Sequence, residues 1–576
     1  MKGERLRFLA ALALVLGAAA AVYLRYLPGP GGTLGHDYAQ VLPRLLVGCY
    51  FWETNGWFEL PWHTPAFGAG LPFYAHPSNA YLSLPQWLSF LVQPVLAVQL
   101  TLLVSLAVAF AGSWLCLRRV FALSESSALL GATLFTLDDF HSARALIGHL
   151  GFHSCALAPL LAFLLLRALP EEPRERRLQL GLDALLVGLC LAYMFQSGNI
   201  YGLPPVLIAV AGLACLAALC GRSTRGFVLR LALALLVALV LDWEKLRGSL
   251  AFLSSCPRTG YPLPGARDAW TLARILFSAL FLAPPTALGN AAYEELVLGL
   301  DRHEWEYGMS LVPLVVIGLA LLRGLPRLRL LPLLLLALLL AVPFVLNLHG
   351  ERWSAFLKSL PVLKSASSFT RWFFVYVPVL AVIAALACER LRPARWPAGP
   401  ALVASALAAV LLLAQDRSFY AQQPYDPRTI VDAWRTRAQP PPVRSVVTPP
   451  RVGDAYRMGV QRDDAPARGE SQLFCYEPLF GYRLEWYPRG PVHAGDALAS
   501  ANGELNFHDP RLFLRPEPGR PPGAPFRASE RAALERFLAY EPLEGSPSSF
   551  TPALILGALL ACAVLAWRIR RVRRGA

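Results

Sequence analysis

Lysine is scarce in this sequence: the 53 basic residues include four lysines, which leaves 49 arginines. Charged residues make up 16% of the 576 residues, whereas a soluble domain carries about 25%. The lysine-rich tails of nucleic-acid-binding proteins and the glycine-rich loop of P-loop proteins are missing, so we expect no nucleic-acid partner. The 10 cysteines form no C-x-x-C pair, which argues against the usual zinc, thioredoxin-like and disulfide-framework patterns.

Apolar residues fill much of the chain: 55% are hydrophobic, and the mean hydropathy is +0.45. A segment needs about 17–25 apolar residues to cross about 30 Å of hydrocarbon. The pattern therefore predicts an all-α polytopic membrane protein with about twelve transmembrane helices. The predicted runs are 7–24, 93–116, 124–138, 152–168, 178–196, 203–220, 226–242, 309–322, 330–347, 371–388, 398–414 and 550–567.

Arginine clusters fall at every second connection between these runs, which the positive-inside rule assigns to the cytoplasm. We therefore predict a multi-pass protein of the bacterial inner membrane with both termini inside. The first run is interpreted as an uncleaved anchor, although its alanines would also suit a signal peptide. The predicted units are a transmembrane domain over 1–415, a small α+β extracytoplasmic domain over 416–549, and a last transmembrane helix with a basic tail over 550–576.

Carboxylates stand at two predicted outer positions. Asp37 precedes an amphipathic helix that we expect to lie in the membrane interface. The spacing favours Asp37 as a helix cap, and this role is compatible with that of a base for an acceptor hydroxyl. Asp138 and Asp139 end the third run, and adjacent carboxylates suit Mg²⁺ or Mn²⁺. A solvated helix start explains that pair equally well.

Basic residues on the predicted outer side depart from the positive-inside rule, so they are candidates for function. Arg352, Lys358, Lys364 and Arg371 flank one outer loop and could bind a phosphate or anionic lipid head groups. Before the run at 309–322, Glu304 and Glu306 stand among aromatic residues and could bind sugar hydroxyls.

The order of these features resembles the GT-C superfamily of integral-membrane glycosyltransferases. The likeness is strongest to the bacterial YfhO-like proteins and more distant to protein O-mannosyltransferases and the aminoarabinose transferases of lipid A. It covers roughly residues 1–415. The segments that carry it are His36–Tyr38, Phe67–Pro77 and Ile147–Leu150, with weaker matches at Ser365–Arg371 and Glu306–Gly308.

The resemblance implies transfer of a sugar from a polyprenyl-phosphate donor to an envelope glycan, lipid or protein on the periplasmic side. It implies Asp37 as the general base, Asp138 and Asp139 as a second acidic motif that binds metal in some relatives, and the four outer basic residues as phosphate ligands. His36, Tyr38, His149, Glu304 and Glu306 would contact substrate. The acid that often pairs with the first aspartate in the mannosyltransferases is missing here, because His36 and Tyr38 flank Asp37.

Two other functions remain open at the level of sequence. A lipid-carrier or polysaccharide transporter would need ionisable groups near mid-membrane, but Asp183 and Arg230 lie near the inner ends of their runs. A non-catalytic envelope assembly protein would use the 416–549 domain to bind a partner.

Overall fold

The chain folds mainly into helices. The computed structural model describes residues 2–255, 263–282, 302–324, 329–360, 363–415, 417, 424–448, 451–452, 455–456, 464–473, 494–501, 504–513, 524–547 and 549–575. Its α-helices are Lys2–Tyr23, Tyr38–Asn55, Leu84–Ser89, Pro94–Leu115, Glu125–Thr136, Asp139–Ile147, Ala158–Leu166, Pro173–Gln196, Leu203–Leu219, Phe227–Ser255, Ala269–Phe281, Val312–Leu322, Leu330–Leu346, Glu351–Ser359, Tyr376–Arg390, Gly399–Leu413, Arg428–Arg435, Arg531–Leu538 and Thr551–Gly575.

Each of the twelve predicted runs contains a helix. Among the described residues, five helical segments are long and apolar enough to cross a membrane: Gly3–Tyr26, Pro94–Val120, Pro173–Gln196, Thr370–Arg390 and Thr551–Arg574. Six further apolar helices are shorter. These apolar helices mark the chain as a membrane protein, and the number of crossings stays a prediction.

The predicted crossing at 124–138 is much shorter than expected. Its helix, Glu125–Thr136, has 12 residues, which extend only about 18 Å at 1.5 Å per residue. Ser124 caps its first turn, and the helix ends at Thr136, just before Asp138. Asp138 and Asp139 follow at the start of the next helix and are 0% and 3% exposed, so they lie inside the protein rather than in a solvated loop.

Several helices begin where the sequence supplies a cap. Gln93, Glu172 and Asp268 each accept a backbone N–H of the first turn that would otherwise lack a partner. Proline occupies the first helical position in Pro94–Leu115 and Pro173–Gln196, where its missing N–H costs nothing.

Arginine–glutamate ion pairs join the helix ends at the predicted inner connections. Arg118 bonds Glu4 at 3.0 Å, and Arg7 bonds Glu125. At the same end, Arg573 of the last helix bonds Glu175 at 2.6 Å. The arginines that suggested the topology therefore hold helix ends together as well as carrying charge.

The late segment, defined here as the described residues between 424 and 547, contains short strands and two helices. One sheet has the order Glu470–Gln472, Ser445–Val447 and Gly495–Asp496, and the other has the order Pro525–Arg527, Glu504–His508 and Ser500–Ala501. A two-stranded pair joins Arg451–Val452 to Ala455–Tyr456, and another joins His63–Thr64 to Leu71–Pro72. The second helix of the late segment is Arg531–Leu538, and Pro510–Phe513 forms a 3-10 turn.

Backbone hydrogen bonds attach the late segment to the outer loops. The amide of Gly68 donates to the carbonyl of Gln472 at 2.8 Å, and the amide of Gln472 donates to Ala66 at 3.0 Å. Leu34 and Tyr425 exchange two such bonds, both 2.8 Å long. One of these attachments therefore lies three residues before Asp37.

One apolar helix, Ala269–Phe281, was not predicted. Leu272, Ile275 and Ala279 lie on its buried face at helical spacing. The amides of Tyr307 and Met309 donate to carbonyls at its end, at 3.2 and 2.6 Å. This helix therefore supports the chain that follows Glu304.

Candidate functional site

Two glycines bring Asp37 against the end of a distant helix. The helix Asp139–Ile147 stops at Gly148, whose φ of 108° is left-handed and favours glycine. A Cβ on Gly148 would lie 2.7 Å from the backbone nitrogen of Tyr38, and one on Gly35 would lie 2.3 Å from the carbonyl of Leu146. The two backbones touch, and the Asp37 amide donates to the Ile147 carbonyl at 3.1 Å.

Asp37 is held by two histidines. Its Oδ2 lies 2.7 Å from Nε2 of His149, and its Oδ1 lies 3.2 Å from Nε2 of His36. Asp37 stands at the start of Tyr38–Asn55, but its side chain makes no capping hydrogen bond. The capping interpretation is therefore wrong, and the carboxylate faces histidines instead. Eleven of the 18 residues in that helix are buried in protein, and its expected position in the membrane interface stays a prediction.

A chain of polar contacts continues from His149. Arg144 Nη1 lies 2.7 Å from Nδ1 of His149, and Arg144 Nη2 donates to Glu304 at 3.1 Å. Arg371 donates two hydrogen bonds to the carboxylate of Glu304, from Nε at 3.0 Å and from Nη2 at 2.6 Å. We call Asp37, His149, Arg144, Glu304 and Arg371 the Asp37 cluster. His303 packs its ring 5.0 Å from that of His149.

The Asp37 cluster is closed on one side and open on the other. The Arg144 side chain is 1% exposed, whereas those of His36, His149 and Arg371 are 24%, 17% and 15% exposed. Arg371 also lies over the Phe152 and Tyr201 rings at 5.5 and 5.4 Å. A substrate can therefore approach past the histidines and Arg371, and Arg144 stays behind them.

Both carboxylates of the cluster remain ionised. Burial by itself raises the pKa of Asp37, but His149 and His36 hold this pKa well below its usual range. Burial opposes ionisation of Glu304 too, and Arg144 and Arg371 hold its pKa well below the usual range. Burial lowers the pKa of His149, although Asp37 opposes that shift. At neutral pH the cluster thus contains two carboxylates, two guanidiniums and neutral histidine.

Asp138 and Asp139 belong to a separate group. Asp138 caps the helix Asp139–Ile147 and lies 2.9 Å from Nδ1 of His141. Asp139 accepts a 2.7 Å bond from Arg417. Burial, with Glu306 and Asp138 nearby, raises the pKa of Asp139 to about 7 against the opposing effect of Arg417. The helix-start interpretation is thus correct for Asp138, although the site is buried rather than solvated.

The other predicted site residues are spread over different places. Tyr38 is fully buried, and its hydroxyl donates to the Ala145 carbonyl at 2.5 Å, so it anchors a helix. Lys358 donates to the carbonyls of Lys364 and Ala366 at 3.1 and 2.7 Å. No described contact joins Arg352, Lys358 or Lys364 to the Asp37 cluster. Of the four predicted phosphate ligands, the structure brings Arg371 alone to it.

A divalent metal fits the described side chains poorly. The ligand atoms of His149, His303 and Glu304 lie within 4.8 Å of one another. Both oxygens of Glu304, however, accept bonds from arginines, and both ring nitrogens of His149 are engaged. Asp139 is likewise paired with Arg417. A dication would face guanidiniums at either place, so we derive no step through a metal.

Sequence reasoning missed Arg144, His303 and Arg417 as parts of these groups. Arg144 and His303 each carried a signal, because an arginine on the predicted outer side breaks the positive-inside rule and His303 adjoins Glu304. Arg417 lies just after the helix Gly399–Leu413, in the predicted outer segment, but its partner Asp139 is 278 residues away, so the sequence did not connect the two. The segment 475–482, which the sequence left without a role, lies outside the described residues.

Comparison with known proteins gives few matches. The chain matches no protein-family model and no curated protein. It is similar to the solved apo structure of the Archaeoglobus fulgidus oligosaccharyltransferase, with 14% identity and a TM-score of 0.40. The match covers 81% of this chain and 64% of the archaeal chain, so this chain spans under two thirds of its length. At this level the likeness assigns neither site nor activity.

Proposed function

We propose that the protein is a membrane glycosyltransferase that moves a sugar from a polyprenyl-phosphate donor to an envelope glycan, lipid or protein at the periplasmic face. The Asp37 cluster carries this proposal. It places the buried, ionised Asp37 carboxylate, His149 and Arg371 at an opening among aromatic rings, with His36 beside Asp37. The GT-C-like order of motifs points to the same chemistry.

In the proposed reaction the acceptor hydroxyl oxygen attacks the anomeric carbon as the bond from that carbon to the donor phosphate breaks. The bonding electrons leave with the phosphate oxygen. Positive charge develops on the sugar ring, where the nearby Asp37 carboxylate stabilises it. The hydroxyl proton passes to Asp37 and then to water.

The low pKa of Asp37 is compatible with this role. A weakly basic carboxylate cannot remove a proton from a free hydroxyl, whose acidity is far lower than its own. Once the new carbon–oxygen bond forms, the oxygen becomes a strong oxonium acid, and transfer to a carboxylate is downhill. Asp37 thus orients the hydroxyl first and accepts its proton late.

Arg371 is the residue we assign to the donor phosphate. Its Nε and Nη2 bond Glu304, and its Nη1 makes no hydrogen bond with any residue in the described part of the chain. Charge-assisted bonds from a guanidinium to a phosphate are strong and directional. A phosphate held there would leave its charge beside a fixed cation.

The test uses purified full-length protein in lipid nanodiscs with a panel of sugars linked to polyprenyl phosphate or diphosphate, and a periplasmic acceptor fraction. Release of free carrier lipid is measured for wild type, Asp37→Asn and the matched control Asp432→Asn. The control removes a carboxylate that is 67% exposed and pairs with Arg435. Each reaction is repeated with EDTA.

We expect release by wild type and by Asp432→Asn, with at least about 100-fold less release by Asp37→Asn, as the loss of an acid–base group predicts. EDTA should have no effect. Equal rates for the two variants would refute the role of Asp37. Folded wild type that releases carrier from no donor would instead favour the transporter or assembly functions.

A further inference from the structure

Arg144 makes no contact that suggests binding to substrate, yet it stands at the centre of the Asp37 cluster. Its side chain is 1% exposed. Its guanidinium carbon lies 5.1 Å from the centre of the Phe152 ring and 5.7 Å from that of Phe140. From this closed position it reaches both His149 and Glu304.

The chemistry of the guanidinium decides the state of His149. Arginine offers only hydrogen-bond donors and stays protonated in proteins. With Arg144 Nη1 2.7 Å from Nδ1 of His149, that nitrogen has to be the acceptor. The ring proton is then on Nε2, which lies 2.7 Å from the Asp37 carboxylate.

We propose that Arg144 is a positioning residue that fixes His149 as the neutral tautomer with its proton on Nε2, directed at Asp37. The role of this tautomer in sugar transfer rests on the function proposed above, but the tautomer itself does not. His149 thereby donates to Asp37 without neutralising it. The carboxylate keeps its negative charge, which can then stabilise the positive charge that develops on the sugar ring.

The groups around His149 agree with this assignment. The turn before Tyr38 supplies Asp37 and His36, and the turn Arg302–Glu304 supplies His303 and Glu304. Arg371 approaches from the 3-10 turn Thr370–Val375. Protonating His149 would place an N–H on Nδ1 against the N–H of Arg144. Burial resists that charge, as do the two cations near His149, and the Asp37 carboxylate favours it. Arg144 thus adds to the resistance both by its charge and by the N–H that it directs at Nδ1.

The direct test is nitrogen NMR of full-length protein in nanodiscs, with ¹⁵N-labelled histidine. The chain has 10 histidines, and the signals lost in His149→Gln identify His149. We expect a protonated Nε2 and an unprotonated Nδ1 from pH 8 to pH 6. A proton on Nδ1, or a fully protonated ring at pH 7, would refute the proposal.

Two Arg144 variants separate positioning from simple packing. Arg144→Lys is still a donor only, so Nδ1 remains the acceptor and the wild-type signals should persist. Arg144→Gln is neutral and can accept, so His149 should become protonated at a pH about one unit higher than in wild type. Identical spectra for Arg144→Gln and wild type would refute the proposal. Should Arg144→Gln fail to fold, wild type and Arg144→Lys still decide the tautomer.

Activity gives a second readout. The acid limb of the pH–rate profile should shift to a pH about one unit higher in Arg144→Gln and stay at its wild-type pH in Arg144→Lys. In His149→Gln the fall in rate that comes from protonation of His149 should be absent, because glutamine still donates a hydrogen bond but does not titrate. Wild type that turns over no donor would refute the proposed function alone, since the NMR result does not depend on turnover.

Discussion

Charge balance explains how this site is buried. Two carboxylates, Asp37 and Glu304, are matched by Arg144 and Arg371, and every one of these groups has a bonded partner. An unpaired charge in such a place would cost several kcal/mol. The sequence pointed to Asp37, Glu304 and Arg371 separately, and the pairing depends on contacts between residues up to 160 positions apart.

The four predicted phosphate ligands should differ in their effect on donor binding. Arg371→Gln removes the one guanidinium of that set that reaches the Asp37 cluster, so we expect the KM for the donor to rise at least about tenfold. Arg352→Gln changes an exposed residue of the helix Glu351–Ser359 and should leave KM unchanged. Steady-state carrier release measures both. Equal effects would mean that the donor phosphate binds elsewhere.

His303 should make the protein sensitive to acid. Burial, with His149 nearby, lowers the pKa of His303 from 6.5 to about 3. Between these two pH values His303 therefore binds a proton in the unfolded chain but not in the folded one. Stability is then complete above about pH 6.5 and falls as the pH drops toward 3. At pH 5 the loss is about 2 kcal/mol.

His303→Gln should remove most of this loss. Thermal unfolding in detergent at pH 7 and pH 5 measures the loss of stability. The fall in apparent melting temperature from pH 7 to pH 5 should be smaller in the variant than in wild type. His349→Gln is the matched control, because His349 is only partly buried whereas His303 is buried. A fall that is the same in all three proteins would contradict the pKa assigned to His303.

At the scale of elements, the sequence predicts helices well and their lengths less well. Apolar runs specify where a helix forms, because the pattern is local. The run at 124–138 formed only the helix Glu125–Thr136, since Ser124 and Asp138 cap the two helix starts that bound it. The apolar helix Ala269–Phe281 was missed because Arg274 interrupts its apolar sequence.

Contacts between elements were the least predictable part. Gly35 and Gly148 lie 113 positions apart, and only the folded chain shows that each leaves room for the backbone of the other segment. The resemblance placed Asp37 and the segment Ile147–Leu150 among its motifs without saying that they touch. Their contact is the step that turns separate motifs into a site.

Gly148→Ala tests that contact. The new Cβ would approach Tyr38 N at 2.7 Å and the Asp37 carbonyl carbon at 2.8 Å, in a left-handed conformation that alanine disfavours. We expect the Asp37 and His149 side chains to separate and carrier release to fall at least about tenfold. Gly557→Ala is the control, because nothing lies within 4 Å of its Cβ. It should retain full activity and match or exceed wild type in melting temperature.

On the scale of the whole molecule, the late segment is attached to the same end of the bundle as the Asp37 cluster. Trp434 donates its indole N–H to the Ser89 carbonyl at 2.7 Å, and Asn55 bonds the Tyr540 carbonyl at 2.9 Å. The attachment closest to the site is the exchange between Leu34 and Tyr425. The late segment therefore restrains the turn that carries Asp37.

Tyr425→Pro should show whether this restraint matters for activity. Proline removes the amide that donates to the Leu34 carbonyl, so the turn Gly35–Asp37 gains freedom. Carrier release should fall several-fold, and hydrogen exchange at the Leu34 and Asp37 amides should accelerate. Tyr425→Phe keeps the amide and the ring, so it should behave as wild type in both measurements. Faster exchange without any loss of release would mean that Gly35 and Gly148 hold Asp37 unaided, because their backbone contact does not involve the late segment.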